Sequence, residues 1–152
     1  MTLNLNSLSA AAEICFIKNN QDMKKINEDP ELEFELQEVY LTSKQWLSDL
    51  AFLEEETTFL EEQLSAAGHT PLKASKQQNL AARLQNARQV HQYIRCQLDG
   101  FINQLEPLLL QTNPDPNLKL LEDFIALQTA VLDALAVLKG IKYALVEARR
   151  AA

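Results

Sequence analysis

Apolar residues between positions 32 and 64 recur at alternating spacings of four and three residues. A helix with this pattern carries a narrow apolar stripe along one side, here called a seam, as the helices of coiled coils and bundles do. The pattern predicts a long helix that must bury its seam against neighbours, and it says almost nothing about chemistry. The first seam consists of Leu32, Leu36, Val39, Ser43, Trp46, Leu50, Leu53, Thr57, Leu60 and Leu64.

The ends of this first long helix are marked by residues that favour helix starts and stops. Asp29 is a good N-cap and Pro30 suits the first helical position, so we expect the helix to begin there. Gly68 is a natural C-terminal stop, which places the last residue near Ala67. Apolar side chains also flank the seam on both sides, which favours a bundle with a third helix. These flanking residues are Tyr40, Leu47, Phe52 and Phe59.

A second seam with the same spacings follows a short connection. Its helix is expected to begin near Thr70 and Pro71, or at Ser75, and to stop or kink at Pro107, whose ring removes a backbone donor. A histidine, His91, occupies one position of this seam. The second seam consists of Leu80, Leu84, Ala87, His91, Ile94, Leu98, Phe101 and Leu105.

The third helix is expected to run from about Pro116 to Arg149, after a proline-rich loop. Because it is apolar around most of its circumference, it should be the central helix, covered by the first two and by either residues 1–28 or a second copy of the chain. Its seam consists of Leu120, Phe124, Leu127, Val131, Ala134, Leu138, Ile141, Leu145 and Ala148. Further apolar residues outside the seam are Leu121, Ile125, Leu132, Leu135 and Val137.

The charges indicate which helices pair. Residues 30–67 carry ten acidic side chains and one basic side chain, whereas residues 68–106 carry five basic and two acidic side chains. Helices joined by short connections are usually antiparallel neighbours. We therefore predict an antiparallel hairpin of a mainly acidic helix and a mainly basic one, in which the seams supply the stability and the charges select the partner and the register.

The overall charge and the cysteines limit the partners and the compartment. A net charge of −7 disfavours nucleic acid and anionic membranes, which attract clustered Lys and Arg. The apolar stretch 124–138 is too short and too polar for a comfortable membrane span. Cys15 and Cys96 lack a CxxC spacing, which favours a reducing compartment, although a Cys15–Cys96 disulfide stays open. Since the N-terminus lacks the pattern of a signal peptide, we expect a cytoplasmic protein.

Few residues of this chain suggest chemistry. Three glycines cannot supply a phosphate-binding or dinucleotide-binding loop. Neither His69 nor His91 has a Glu three residues before it, as a di-iron bundle requires. We therefore expect no enzymatic activity, no cofactor and no metal. His91 is interpreted as a core histidine that bonds to a polar partner, with Ser43 or Thr57 as candidates, or that fixes the register of the helices.

Two further interpretations of His91 stay open. The first is a ligand-binding or metal-binding bundle with a site lined by Trp46, His91 and Tyr93. The second and weaker one is a histidine phosphocarrier. It lacks support because residues 92–95, which read QYIR, do not match the Leu-Lys-Gly type of continuation in histidine phosphotransfer domains.

Residues 46–60 of the first helix read WLSDLAFLEEETTFL. This segment resembles uncharacterised bacterial helical proteins of the coiled-coil type that have no assigned activity. The resemblance implies a small bacterial helical protein, and it transfers no functional residue to this chain.

The sequence as a whole predicts an all-α protein, an antiparallel up-and-down bundle of three long helices plus a short N-terminal helix. Residues 1–28 form the short helical segment, mobile or docked, and residues 29–152 form the long-helix bundle. The predicted function is that of a non-enzymatic interaction or scaffold protein that binds itself, as a homodimer, or another helical protein. The predicted interface on the third helix consists of Ala126, Thr129, Asp133, Ala136, Gly140 and Tyr143.

Overall fold

The computed structural model describes residues 30–66, 73–111 and 115–151, with side chains from residue 35 onward. The described chain consists of three helices and contains no strand: α1 (Pro30–Ser65), α2 (Ala74–Leu109) and α3 (Leu118–Arg150). These helices pack against one another, which confirms the all-helical bundle. The predicted helix of residues 1–28 lies outside the described residues.

The helix starts agree closely with the sequence. α1 begins at Pro30, as predicted, and α2 begins at Ala74, next to one of the two predicted starts. α3 begins at Leu118, two residues after the predicted start near Pro116, and Asn117 acts as its N-cap. The side-chain oxygen Oδ1 of Asn117 accepts a hydrogen bond of 2.8 Å from the backbone N–H of Leu120. Such a bond satisfies one of the free donors at a helix start.

The sequence predicts that α2 stops or kinks at Pro107, and a stop at that residue is wrong, since α2 continues to Leu109. Pro107 cannot donate to the backbone carbonyl four residues before it, so α2 lacks one backbone hydrogen bond at this point and ends two residues later. The turn is closed by shorter-range bonds: the N–H of Leu110 donates to the carbonyl of Pro107, and the N–H of Gln111 to that of Leu108, both at 3.3 Å. Tightening of this kind is common at helix ends.

The packing divides into two units, and each takes a segment from every helix. Of the described residues, the first unit comprises 30–46, 97–111 and 115–128, and the second comprises 47–66, 73–96 and 129–151. The seams form the core of each unit. Every predicted seam residue from Leu36 onward is buried except Val39, which is half-buried. The seam predictions are therefore confirmed wherever the structure describes the side chains.

Three aromatic rings, one from each helix, pack together in the first unit. Trp46 of α1 stacks on Phe124 of α3 with ring centroids 5.0 Å apart, and Phe124 lies 6.0 Å from Phe101 of α2. Trp46 is fully buried and its indole N–H has no hydrogen-bond partner among the described residues. Large rings bury much apolar area, so this cluster is a principal source of stability in the first unit.

Candidate interaction surface

The outer side of α3 carries large apolar side chains that recur every seven residues. Each is about two-fifths exposed or more, although α3 is buried along its seam. A charged residue, Lys139, takes the one remaining place in this series. A repeat of seven residues keeps side chains in line along a helix, so these residues form an outer stripe. The outer stripe consists of Leu118, Ile125, Leu132, Lys139 and Val146, and the exposed fractions of its four apolar members are 59%, 40%, 39% and 41% in that order.

All six residues of the interface predicted on α3 are exposed in the structure. They lie beside the outer stripe, on the side of the helix away from the seam. Tyr143 is the large aromatic side chain among them, with 68% of its surface exposed. A Cβ atom added at Gly140 would make an ordinary van der Waals contact with a terminal nitrogen of Arg83, at 3.8 Å. These six residues are Ala126, Thr129, Asp133, Ala136, Gly140 and Tyr143.

In the second unit, α1 lies directly beside α3 along one edge of the outer stripe. The Nζ of Lys142 lies 3.5 Å from a carboxylate oxygen of Glu56. Arg149 donates to the backbone carbonyl of Gln63 at 2.9 Å and to its side-chain oxygen at 3.3 Å. Both contacts join residues that are 86 positions apart, so the two helices keep one register along this edge.

Phe52 and Phe59 of α1 are exposed, contrary to the prediction that they pack against another helix of the bundle. Their exposed fractions are 55% and 49%. Phe52 lies four residues before Glu56, and Phe59 lies four residues before Gln63. Residues four apart are neighbours on a helix surface. The two rings therefore lie just outside the α1–α3 contact, where α3 does not reach over them.

The exposed side chains around these phenylalanines differ in charge between the two helices. On α1, Glu55 and Glu62 are exposed and form no ion pair with any residue that the structure describes. On α3, Lys139 is exposed and likewise has no ion-pair partner in the described part of the chain. Here α1 presents a row of carboxylates beside its two rings, and α3 presents a cation within its outer stripe.

The structure places His91 in the core of the second unit, where only 1% of its surface is exposed. Neither of its ring nitrogens has a hydrogen-bond partner among the described residues. The predicted partners, Ser43 and Thr57, donate instead to the carbonyls of Val39 and Leu53, both at 2.7 Å. The prediction that one of these hydroxyls satisfies His91 is therefore wrong, because each bonds within its own helix.

The surroundings of His91 disfavour its charged form. Burial is the main cause, and it lowers the pKa of His91 below its ordinary value. The carboxylate of Glu54 partly opposes this effect by raising the pKa, while the guanidinium of Arg88 adds to it. The ring is therefore held neutral. A buried neutral imidazole without hydrogen-bond partners is unfavourable within an apolar seam, because its nitrogens lose their hydrogen bonds to water.

The other two residues of the predicted ligand site lie in different surroundings. Trp46 belongs to the first unit and is fully buried in the aromatic cluster. Tyr93 belongs to the second unit, on α2, and 64% of its surface is exposed. Since His91 is buried and Tyr93 is exposed on the same helix, their side chains lie on different sides of α2. Cys96 is also exposed and carries a free thiol.

Two general classes of site can be examined in the described part of the chain. No group of three or more His, Cys, Asp or Glu side chains is placed there to hold a metal ion. α3 is long and apolar enough to cross a membrane, with a mean hydropathy of 1.7 in its best window, of which 39% is buried. This is weak evidence for a membrane span, because the buried core helix of a soluble protein meets the same criterion.

Comparison with protein-family models, with curated proteins and with solved structures finds no match for this chain.

The six residues of the predicted interface include neither the exposed phenylalanines of α1 nor the outer stripe of α3. A signal was present, because Leu118, Ile125, Leu132 and Val146 are all in register with a repeat of seven. Periodicity alone does not distinguish an apolar line that is covered from one that is exposed, since both have the same spacing. Only the packing of the helices makes that distinction.

Proposed function

We propose that this protein is a non-enzymatic interaction or scaffold protein that associates with itself through the exposed side of α3. The observation that supports the proposal is the outer stripe, in which large apolar residues recur every seven positions on the exposed side of a packed helix. Soluble proteins rarely expose an extended apolar surface without using it as a contact. A repeat of seven residues suits another helix as the partner.

The small residues beside the outer stripe support close contact with a helix. Ala126, Ala136 and Gly140 have little or no side chain, so the backbone of a partner can approach α3 closely. A second copy of the chain is the partner that needs no other component, and homodimers with twofold symmetry are the commonest assemblies of soluble proteins. A different helical protein is the alternative partner.

We further propose that the three helices run up, down and up. The pairs Glu54–Arg95 and Glu61–Arg88, at 3.6 and 3.0 Å, support antiparallel α1 and α2, since the partner number falls by seven as the α1 number rises by seven. Cysteine cross-linking tests this direction in a background in which both native cysteines, Cys15 and Cys96, are replaced by serine. Cysteines at 61 and 88 should form a disulfide readily, as should cysteines at 54 and 95, whereas cysteines at 61 and 102, which parallel helices would bring level, should not.

Substitutions with a matched control test the self-association. Ala136→Glu places a charge on the exposed side of α3, and Ala82→Glu places the same charge on an exposed position of α2. Sedimentation velocity at micromolar concentration should show a dimer for the wild type and for Ala82→Glu, and a monomer for Ala136→Glu. A wild-type chain that stays monomeric removes the proposal.

Residues 1–28 are the other possible cover for this side of α3. If they pack on it within the same chain, the protein is a monomeric four-helix bundle. A chain that lacks residues 1–28 would then expose the stripe and begin to associate. If the self-association proposal holds, the shortened chain dimerises no more strongly than the full one.

A second candidate function is ligand or metal binding at His91, favoured by the two ring nitrogens that lack partners. Titration with Zn²⁺ or Ni²⁺, followed by calorimetry, tests it, with His91→Leu as the control. Binding of the metal by the wild type and not by the variant would support this candidate. The burial of His91 argues against a phosphocarrier, because a phosphoryl donor must reach a ring nitrogen. The exposed thiol of Cys96 supports a location in a reducing compartment, such as the cytoplasm.

A further inference from the structure

We infer that the groove between α1 and α3 in the second unit receives a second copy of this chain, related by a twofold axis parallel to the helices, so that Lys139 of each copy lies against Glu55 and Glu62 of the other. The inference rests on the proposed self-association. It adds that α1 takes part in the contact, and it specifies the symmetry of the dimer.

The groove is defined by contacts between the two helices. Its floor is the pair Glu56 and Lys142, together with the bonds from Arg149 to Gln63. The α1 wall consists of Phe52 and Phe59, which flank Glu56 on the helix surface. The α3 wall consists of Leu132, Lys139 and Val146 of the outer stripe. The four apolar side chains of the two walls are between 39% and 55% exposed, and all belong to one unit.

The register of the two helices shows what a second copy would meet. Because both α1–α3 contacts join residues 86 positions apart, Lys139 is level with Leu53 and Val146 is level with Leu60. A twofold axis parallel to the helices leaves every residue at the same height along the helix axis. It turns the α3 wall of one copy towards the α1 wall of the other. The side chain of Lys139 in one copy then meets α1 of the other copy between Phe52 and Glu55.

The same rotation brings apolar groups together. Val146 of one copy comes level with the stretch of α1 in the other copy that carries Phe59 and Glu62. The methylene groups of Lys139 can lie on the ring of Phe52 while its ammonium group extends to a carboxylate, as long basic side chains commonly do. The contact thus combines an apolar centre with a charged edge, which is the usual structure of a protein interface.

The charges distinguish this symmetry from its main alternative. A twofold axis perpendicular to the helices would turn α1 of one copy towards α1 of the other. The carboxylates of Glu55 and Glu62, which have no ion-pair partner in the described part of the chain, would then face their own copies. Like charges placed opposite each other are unfavourable, whereas the parallel axis pairs each carboxylate row with a lysine.

Charge reversal tests this arrangement. Lys139→Glu should raise the Kd of the homodimer about tenfold or more, because the new carboxylate meets Glu55 and Glu62 of the partner. The double variant Glu55→Lys/Glu62→Lys should weaken its own homodimer to a similar extent. Mixed in equal amounts, the two variants should form a heterodimer, since both of its contacts then pair a lysine with a glutamate. Sedimentation velocity with one variant fluorescently labelled measures this heterodimer directly.

Lys76→Glu, an exposed charge reversal on α2, is the matched control and should leave the Kd unchanged. Recovery of wild-type affinity in the mixture supports the inference. The arrangement is overturned if the variants dimerise as tightly as the wild type, or if both are weakened and mixing restores nothing. In either case the proposed function still stands if Ala136→Glu abolishes the dimer. A wild-type chain that stays monomeric overturns both.

Discussion

The indole ring of Trp46 on α1 stacks on the phenyl ring of Phe124 on α3, with the ring centroids 5.0 Å apart and the ring planes inclined by 28°. Phe124 also lies against Phe101 of α2, so one side chain joins all three helices of the first unit. Phe124 therefore contacts an aromatic ring on each of the other two helices.

The substitution Phe124→Ala should lower the free energy of unfolding by about 3–5 kcal/mol, because it removes a large ring and leaves a cavity among rings that cannot fully collapse. Urea denaturation followed by circular dichroism measures the loss. Tyr93→Ala, at an exposed aromatic residue of α2, is the control and should cost no more than about 0.5 kcal/mol. Equal losses in the two variants would show that the cluster is not a centre of stability.

His91 should be replaceable by an apolar residue with a gain in stability. A buried polar group without hydrogen bonds costs about 1–3 kcal/mol, and leucine occupies neighbouring positions of the same seam. We therefore expect His91→Leu to raise the free energy of unfolding at pH 8 by an amount in this range. Thermal unfolding measures the gain. A clear loss of stability would mean that the imidazole has a partner, such as a ligand or an internal water molecule.

The same residue should make the stability depend on pH. Because the pKa of His91 is lowered in the folded protein, the unfolded chain binds a proton at a higher pH than the folded chain does. Above about pH 6.5, the ordinary pKa of histidine, the ring is neutral in both states, and its titration does not lower the stability. As the pH falls from that value towards the lowered pKa of the folded state, protonation of the unfolded chain lowers the free energy of unfolding.

The contribution of His91 is measured by the difference between the wild type and His91→Leu. Urea denaturation of both proteins at pH 7.5 and pH 5.5 cancels the titration of the carboxylates, which they share. The wild type should lose more stability than the variant over this interval. Parallel losses would assign the pH dependence to other groups.

The surface of α3 can be tested with a minimal change at Gly140, and Gly100 of α2 serves as the control. Gly140→Ala and Gly100→Ala should each raise the free energy of unfolding of the monomer by about 0.5–1 kcal/mol, since glycine within a helix is unfavourable and neither position has an obstructing neighbour. Only Gly140→Ala should also weaken self-association, because Gly140 lies on the proposed interface. Chemical denaturation of dilute protein and sedimentation equilibrium measure the two effects. A similar change of association in both variants would argue against a role for Gly140.

The sequence predicts the core of this protein well because each seam has one periodicity and one physical cause. Residues at spacings of four and three must share one side of a helix, and nearly all of them are buried. His91 shows the limit of this reasoning. Its position in the core follows from the spacing. Its lack of a hydrogen-bond partner depends on the orientation of the hydroxyls of Ser43 and Thr57, and the spacing of residues in the sequence does not predict side-chain orientation.

The surface is harder to predict for a related reason. Phe52 and Phe59 carry the same apolar signal as residues that another helix covers, yet they lie just beyond the reach of α3. The relative position of two helices decides whether such a ring is buried, and that position is set by contacts such as those of Lys142 and Arg149 with α1. Those contacts join distant parts of the chain, so local patterns do not reveal them.

The mass of the full-length chain in solution tests the central claim most directly. Light scattering over a series of concentrations from about 1 to 100 µM at moderate salt should show a mass that approaches twice that of one chain as the concentration rises. A mass equal to that of one chain over the whole series would contradict self-association through α3.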